Sequence, residues 1–242
     1  MRNYEQELTN RVNFIRELLR GAGAHGIVYG NSGGKDSALV GILCQKACEC
    51  TLGLVMPCGS QRNYREDKAD AEAVATQFHI ETRLVDLTEV RDTLSQAVGR
   101  ITKLPPAALS NIAPRLRMTA LYAVAAVEKR LVAGTGNRSE AYMGYFTKWG
   151  DGACDFNPIA DLTVTEVYEF LRFLGAPAAI LDKAPSAGLF DGQTDEGEMG
   201  VTYRSIDTFL FGGTVSEADR LTIEQYHRAA EHKRKPPVSY GD

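Results

Sequence analysis

The sequence predicts an α/β fold: an open, mostly parallel twisted sheet with helices on both faces. Three observations lead there. Short apolar runs of strand length alternate with segments of helical length, the pattern of a parallel sheet covered on both sides. A glycine-rich turn separates the first such strand from the helix after it. The length of 242 residues, 44% of them hydrophobic, suits one α/β domain over residues 1–242 with a real core.

Taken in order, Leu8, Val12, Ile15 and Leu19 recur at helical spacing, so Tyr4–Arg20 is an amphipathic helix, ended by Gly21-Ala22-Gly23. His25–Tyr29 is a short apolar strand. The turn Gly30–Gly34 follows, and Ser37–Cys48 resumes as helix. Thr51–Met56 is a second strand, stopped by Pro57. Arg65–Phe78 is a charged helix and Thr82–Val85 a third strand. Pro114–Lys129 is a long helix that feeds the strand Arg130–Ala133. From Gly134 to Asp161 the composition turns to Gly, Asp, Asn and Thr, which reads as site loops rather than core. Thr163–Leu174 is a helix with Thr163 as its cap. Residues 187–200 are rich in Gly, Asp and Glu and are expected to be mobile. Leu221–Glu231 is a last helix, running into the basic tail His232-Lys233-Arg234-Lys235. A core over about 22–186, the mobile loop 187–200 and a helical tail 201–242 make up the domain.

Composition narrows the function classes. The chain carries 27 basic and 31 acidic residues, a net charge of −4, which lowers the case for a nucleic-acid partner. No apolar run reaches the length of a membrane helix. The segment Met1–Glu5 lacks the apolar stretch of a secretory signal, so a cytoplasmic protein with no membrane partner is expected. The cysteines number 5. Cys44, Cys48 and Cys50 are spaced C-x3-C-x-C, with no histidine nearby and no second pair. Cys44 and Cys48 lie one helical turn apart on an apolar helix, so core packing is the better reading. Neither a thiolate-held structural metal nor a disulfide framework is expected.

Two motif matches fail on context. Gly21-x-Gly23-x-x-Gly26 has the dinucleotide fingerprint spacing, but it precedes a strand instead of following one. Gly34-Lys35 hints at a Walker loop, but the next residue is Asp36, not Ser or Thr.

Gly30, Asn31, Ser32, Gly33, Gly34, Lys35, Asp36 and Ser37 form the informative string. Three glycines let backbone amides approach an anion without Cβ clashes. The following helix adds open N–H donors and a partial positive charge, and Ser32 and Ser37 add hydroxyls. A carboxylate beside phosphate is repelled, so Asp36 makes sense as a ligand for Mg²⁺ bridging to phosphate oxygens. An ordinary glycine turn with Asp36 as a first-turn helix acid is the bland alternative, and the density of the string disfavours it.

A second constellation runs from Gly134-Thr135-Gly136-Asn137-Arg138-Ser139-Glu140 through Gly144–Gly152 to Asp155 and Asn157–Thr163. It lies at the carboxyl end of a strand, where open α/β sheets place ligands. Glu140 could supply a second carboxylate to the metal, and Lys148 could meet an anionic substrate. Taken singly, each of these charges reads as a solvated face.

The Ser32–Ser37 string resembles the loop of the ATP-pyrophosphatase, or PP-loop, superfamily, whose members cleave ATP between the α and β phosphates and adenylate a substrate. Together with the second constellation, Arg115-Leu116-Arg117-Met118, Lys183-Ala184-Pro185-Ser186-Ala187, Gln193-Thr194-Asp195-Glu196 and His232-Lys233-Arg234, the chain resembles the NAD+ synthase family over nearly its whole length. The resemblance implies an adenine-nucleotide α-hydrolase-like, Rossmann-like fold. It also implies ATP-dependent amidation of deamido-NAD+ to NAD+, AMP and pyrophosphate through an acyl adenylate. It assigns Gly30–Ser37, Thr135 and Ser186 to ATP, and Asp36 and Glu140 to Mg²⁺. Arg115, Lys148, Asp155, His232 and Lys233 go to deamido-NAD+. Val164 stands where many members carry lysine, and Lys183 could supply that charge. Asp36, Glu140, Lys183 and Asp155 are thus the expected catalytic residues. For the adenine pocket, Val55, Met56 and Gln61 are candidates because they follow the second strand.

Glutamine-using relatives resemble a nitrilase-like amidase fused ahead of the synthase. About two dozen residues precede the first strand here, so free ammonia is the expected nitrogen source. The family also implies a homodimer. The alternatives are another PP-loop adenylating enzyme, such as a tRNA thiolase or lysidine synthetase, and a nucleotide-binding signalling module without catalysis. Acidic charge and the lack of C-x2-C count against the first, and the second acidic loop with Lys148 against the other.

Overall fold

The computed structural model describes residues 2–59, 66–183 and 194–240. The elements in chain order are α1 (Tyr4–Ala22), β1 (Gly26–Gly30), α2 (Lys35–Ala47), β2 (Thr51–Val55), α3 (Glu66–Phe78), β3 (Glu81–Leu84), α4 (Thr88–Gly99), α5 (Pro106–Ser110), α6 (Ile112–Glu128) and β4 (Arg130–Ala133). The second half is helical: α7 (Arg138–Met143), α8 (Val164–Leu174), α9 (Ala178–Leu181), α10 (Asp195–Met199), α11 (Tyr203–Leu210), α12 (Glu217–Ala229) and α13 (Glu231–Arg234).

The four strands pair in parallel in the order β3-β2-β1-β4. Alternation along β1 decides which helices cover which face. Ile27 and Tyr29 point into a core with Ile15 of α1, Leu39 and Leu43 of α2, and Phe170 of α8. Val28 points the other way, with Leu52, Leu54 and Val132, against Ala125 and Leu121 of α6. Both faces are therefore covered, as the sequence predicts. A third cluster joins Met143 of α7 to Val164, Met199, Tyr203, Ile206 and Ile223, which fastens the C-terminal helices beneath α7.

Helix boundaries follow the caps. α1 runs through Gly21 and stops at Gly23, whose φ of 60° closes the helix in the left-handed region. α2 begins at Lys35, two residues earlier than predicted, so Asp36 sits in its first turn. Thr163 caps α8 and forms a capping box with Glu166. α12 starts at Glu217 under a Ser216 cap, ahead of the predicted Leu221. Of the segment predicted to be mobile, residues 194–200 hold the short helix α10 between Thr194 and Gly200, whereas residues 187–193 lie outside the described residues. Arg65, Gln61 and Ser186 also lie outside them. α4, α5 and α11 are not among the predicted helices; α4 has no buried residue, and its apolar Val90 and Leu94 are exposed. Cys44 is fully buried in the first core cluster, in keeping with its reading as a small apolar side chain.

Candidate active site

The carboxyl end of β1 leads directly into the glycine turn. Asn31 fixes the exit: its N–H donates to the Leu54 carbonyl at 2.8 Å and its Nδ2 to the Ala71 carbonyl at 3.3 Å. Gly33 has φ of 71°, and a Cβ there would lie 2.1 Å from the Asp67 carbonyl oxygen. Only glycine fits where α3 crosses the turn. Ser37 donates to the Gly34 carbonyl at 2.9 Å and Ser32 to Ser37 at 3.1 Å. Gly34 is the N-cap of α2 and offers no side chain to its first-turn amides, which leaves them directed at an incoming anion.

Asn137 caps α7 across the cleft. Its Oδ1 accepts the Glu140 N–H at 2.9 Å, and its own N–H donates to Glu140 Oε2 at 3.2 Å. Its Nδ2 donates to Asp36 Oδ1 at 3.0 Å. One fully buried residue, through its backbone N–H and its side chain, thus holds both predicted metal ligands. Lys35 Nζ lies 2.7 Å from Asp36 Oδ2 and 3.6 Å from Glu140 Oε1. Burial and the neighbouring Asp36 push the Glu140 carboxyl well above the usual range, against the pull of Lys35. Below α7, Ser139 donates to Asp207 at 2.5 Å, and Asp207 accepts the Thr165 N–H at 2.8 Å. This buried network locks the base of α7 to the start of α8.

Lys183 reaches back over the turn. Its Nζ donates to Asp67 Oδ1 at 2.8 Å, Asp70 Oδ2 at 2.5 Å and the Gly33 carbonyl at 3.4 Å. Tyr203 donates to Asp195 at 3.0 Å, and both are buried beside Glu140.

These groups border a cavity of about 620 Å³, within the usual range for small-molecule sites. Gly30, Asn31, Ser32, Gly34, Lys35, Asp36, Ser37, Thr135, Glu140, Lys183 and Lys233 line it, as do Val55 and Met56 at the end of β2. Lys233 Nζ donates to the carbonyls of Gly144 and Phe146, both at 2.8 Å, and burial lowers its pKa.

Besides Gly33 of the turn, four expected residues among those described stand outside the lining. Arg115 donates to the Lys148 carbonyl at 3.3 Å and Lys148 to the His232 carbonyl at 2.6 Å. His232 Nδ1 lies 3.2 Å from the Ala229 carbonyl. Asp155 accepts from Tyr122 OH at 3.1 Å and the Val132 N–H at 2.8 Å, which ties a loop to β4. Arg117 and Asp151 line the cavity. Burial lowers the Arg117 pKa and raises that of Asp151. The signal for Arg117 was helical phase: Pro114, Arg117, Met118 and Leu121 share one face of α6, and all four line the cavity. Asp195 and Asn137 carry no signal apart from lying in the strings Gln193–Glu196 and Gly134–Glu140.

Among the described residues, no group of three or more His, Cys, Asp or Glu is arranged to hold a metal. Asp36 and Glu140 nonetheless fit Mg²⁺, which commonly takes one or two carboxylates and completes its shell with phosphate and water oxygens. Their two carboxylates already converge on one cation, the Lys35 ammonium. The arrangement can hold a polyphosphate on amides and cations at one end, and a second anion near Arg117 and Lys233 at the other.

The family model described as NAD synthase matches residues 7–237. The chain is 48% identical, over 97% of each chain, to an NH(3)-dependent NAD(+) synthetase of Carboxydothermus hydrogenoformans. Its fold superposes on the NMN synthetase of Francisella tularensis with a TM-score of 0.94, at 38% identity over 100% of both chains. It superposes on the NH3-dependent NAD synthetase of Campylobacter jejuni with a TM-score of 0.82, at 27% identity over 99% of this chain and 100% of that one.

Proposed function

Because this chain belongs to the NAD synthase family, we propose that it makes NAD+ from deamido-NAD+, ATP and free ammonia. The observation that carries this reading is similarity over the full length to an ammonia-dependent NAD+ synthetase. The cleft in which Asp36 and Glu140 face each other above a phosphate-binding turn supports it. The whole chain works as one domain, its tail closing the cavity through Lys233.

A free carboxylate is a poor acyl donor, so adenylation must come first. The nicotinate carboxylate attacks the α-phosphorus, and pyrophosphate leaves. Ammonia then attacks the acyl carbon, and AMP leaves with the former carboxylate oxygen. The amides of the turn, the start of α2, Lys35 and Lys183 hold the phosphates and offset their charge. Arg117 and Lys233, which line the cavity, would meet the acid's own anionic groups, and Arg115, Lys148 and His232 would support them; Asp155 would act by holding β4 in place. Mg²⁺ bound by Asp36 and Glu140 would supply charge neutralisation for the phosphates.

The test is product formation from ATP, Mg²⁺, ammonia and deamido-NAD+. Failure to form NAD+ and AMP in a folded sample that binds ATP rejects the reading. A second reading takes the mononucleotide acid as substrate. It is favoured by the TM-score of 0.94 with a protein described as NMN synthetase, against 0.82 with an NAD synthetase. Competition between the mononucleotide and dinucleotide acids, read as the ratio of kcat/KM, decides between them.

No helix in the described residues is long and apolar enough to cross a membrane. A cytoplasmic site of action belongs to the same reading, and cell fractionation tests it. So does a homodimer. Leu84, Val90, Leu94 and Ile101 are exposed on β3, α4 and the turn that follows, and apolar area of that kind favours burial against a second copy. A monomeric mass in sedimentation of the active enzyme rejects the dimer.

A further inference from the structure

Lys35 is the single cationic residue in the turn Gly30–Ser37. It opens α2 on the turn of helix that carries Asp36, and its ammonium folds back to 2.7 Å from Asp36 and 3.6 Å from Glu140. The Tyr203 ring centroid lies 5.5 Å away on a further side. The side chain is 6% exposed. Two acid partners on one nearly buried amine favour its ammonium form. Asn137 fixes the acid pair from behind, with its Nδ2 on the other oxygen of Asp36. Lys35 also borders the cavity, next to the uncapped amides of α2.

The position of the ammonium decides what such a lysine does. It lies against one oxygen of each acid, Asp36 Oδ2 and Glu140 Oε1, the side of the pair that a shared cation would take. A divalent ion and an ammonium cannot share one pair of carboxylates at these distances without strong mutual repulsion. One of them must give way, and a flexible lysine stem can move where a carboxylate pair held by Asn137 cannot.

We propose that Lys35 is a built-in counter-cation of the Asp36–Glu140 pair. It competes with a divalent ion for those two carboxylates and, once displaced, turns into the cavity to contact the phosphate chain of ATP. The inference rests on the reading of this cleft as an ATP and metal site. Lys35 holds the pair together before nucleotide arrives and adds a positive charge to the nucleotide afterwards. Divalent binding and nucleotide binding are therefore coupled through one side chain.

The experiment compares the full chain with its Lys35→Met and Lys35→Arg variants in two binding measurements without turnover. Mn²⁺ binding to nucleotide-free protein is followed by the electron paramagnetic resonance of free Mn²⁺. Binding of α,β-methylene-ATP at saturating Mg²⁺ is followed by calorimetry. In Lys35→Met, Mn²⁺ affinity is expected to rise on the order of tenfold because the resident charge is gone. Nucleotide affinity is expected to fall on the order of tenfold because a phosphate contact is gone. Lys35→Arg keeps the charge and stays near wild type in Mn²⁺ binding. Opposite signs in one variant are a signature that mere loss of packing does not produce. Unchanged or weaker Mn²⁺ binding in Lys35→Met overturns the proposal, as does unchanged nucleotide binding. If Lys35→Met does not fold, Lys35→Gln carries the same two expectations. Wild-type protein that binds neither Mn²⁺ nor the nucleotide overturns the site reading itself, a result distinct from a wild type that binds both while the variants do not differ.

Discussion

Asn137 and Asp36 are 101 positions apart in sequence and joined by one hydrogen bond of 3.0 Å, from the amide of the first to the carboxylate of the second. The same amide oxygen caps α7. Asn137→Ala therefore removes a helix cap and the brace on Asp36 together. The expected loss of stability is about 1 kcal/mol, with a fall in the rate of pyrophosphate release out of proportion to it, on the order of 10²-fold. Thermal unfolding and a pyrophosphate assay measure the two. A loss of rate no larger than the loss of folded protein would show that Asn137 is only a cap.

Lys183 spans from the end of the α8–α9 region to two acids of α3. Lys183→Met leaves Asp67 and Asp70 facing each other, and Asp67 is buried. Destabilisation of about 3 kcal/mol is expected, along with weaker ATP binding. Lys183→Met combined with Asp70→Asn should recover much of the stability but not the ATP affinity. Recovery of both would remove Lys183 from the ATP site.

Arg117 faces the cavity and Arg115 does not. Arg117→Lys is expected to raise the KM for the dinucleotide acid on the order of tenfold, because a lysine cannot reproduce the planar fork of a guanidinium. Arg115→Lys should change it by no more than about twofold, since Arg115 donates to a backbone carbonyl at the surface. The reverse ranking, in steady-state kinetics with ATP saturating, would restore Arg115 to the substrate.

Tyr29 is fully buried in the central strand, and its hydroxyl has no hydrogen-bond partner among the described residues. A Cβ on Gly41 would lie 2.3 Å from that oxygen, so the ring packs against helix backbone with no slack. Burial raises its pKa, and the group stays protonated. Tyr29→Phe removes an unpaired polar group and is expected to stabilise the fold by about 1 kcal/mol. A drop in melting temperature would reveal a partner for the hydroxyl.

Arg11 makes two bonds to Asp161, at 2.7 and 2.9 Å, and joins α1 to the loop before α8. Burial alone would raise the Asp161 pKa, but the Arg11 bonds outweigh it and the net shift is downward. A lowered folded value stabilises the protein above the unfolded value of about 4 and loses that contribution as pH falls through the folded one. The wild type should therefore lose stability more steeply on acidification below about pH 4 than Arg11→Met does. Urea unfolding at several pH values measures it, and parallel curves would contradict the pairing.

What could be read from the sequence was what is local. The turn Gly30–Ser37, the cap at Thr163 and the alternation along β1 each depend on a few adjacent residues. Motif resemblance names Arg115 and Arg117 alike, and only helical phase along α6 puts Arg117 on the cavity lining. Asp155 lies four residues from Asp151 in the same loop, and chain reversal alone decides that one faces β4 and the other the cavity. α4 repeats Val90, Leu94 and Val98 at four-residue spacing but buries none of them. Asn137, Asp67 and Asp70 act through partners at |i−j| of 101, 116 and 113, which no local pattern encodes.

The bonds of Asp155 have a consequence for the sheet as an object in solution. Its carboxylate takes the outward Val132 N–H, its own N–H returns to the Val132 carbonyl at 2.9 Å, and Phe156 bridges Ala133 in parallel. The outer rim of β4 at Val132 and Ala133 is thus taken by its own loop, which discourages a foreign strand from adding there. The opposite rim, β3, carries Glu81 and Arg83 on its exposed face, paired with each other at 2.8 Å, and charge discourages strand addition. The two rims are guarded by different means, one by occupation and one by charge. Neutralising Glu81 and Arg83 would therefore open the β3 side to edge-to-edge growth and leave the β4 side closed.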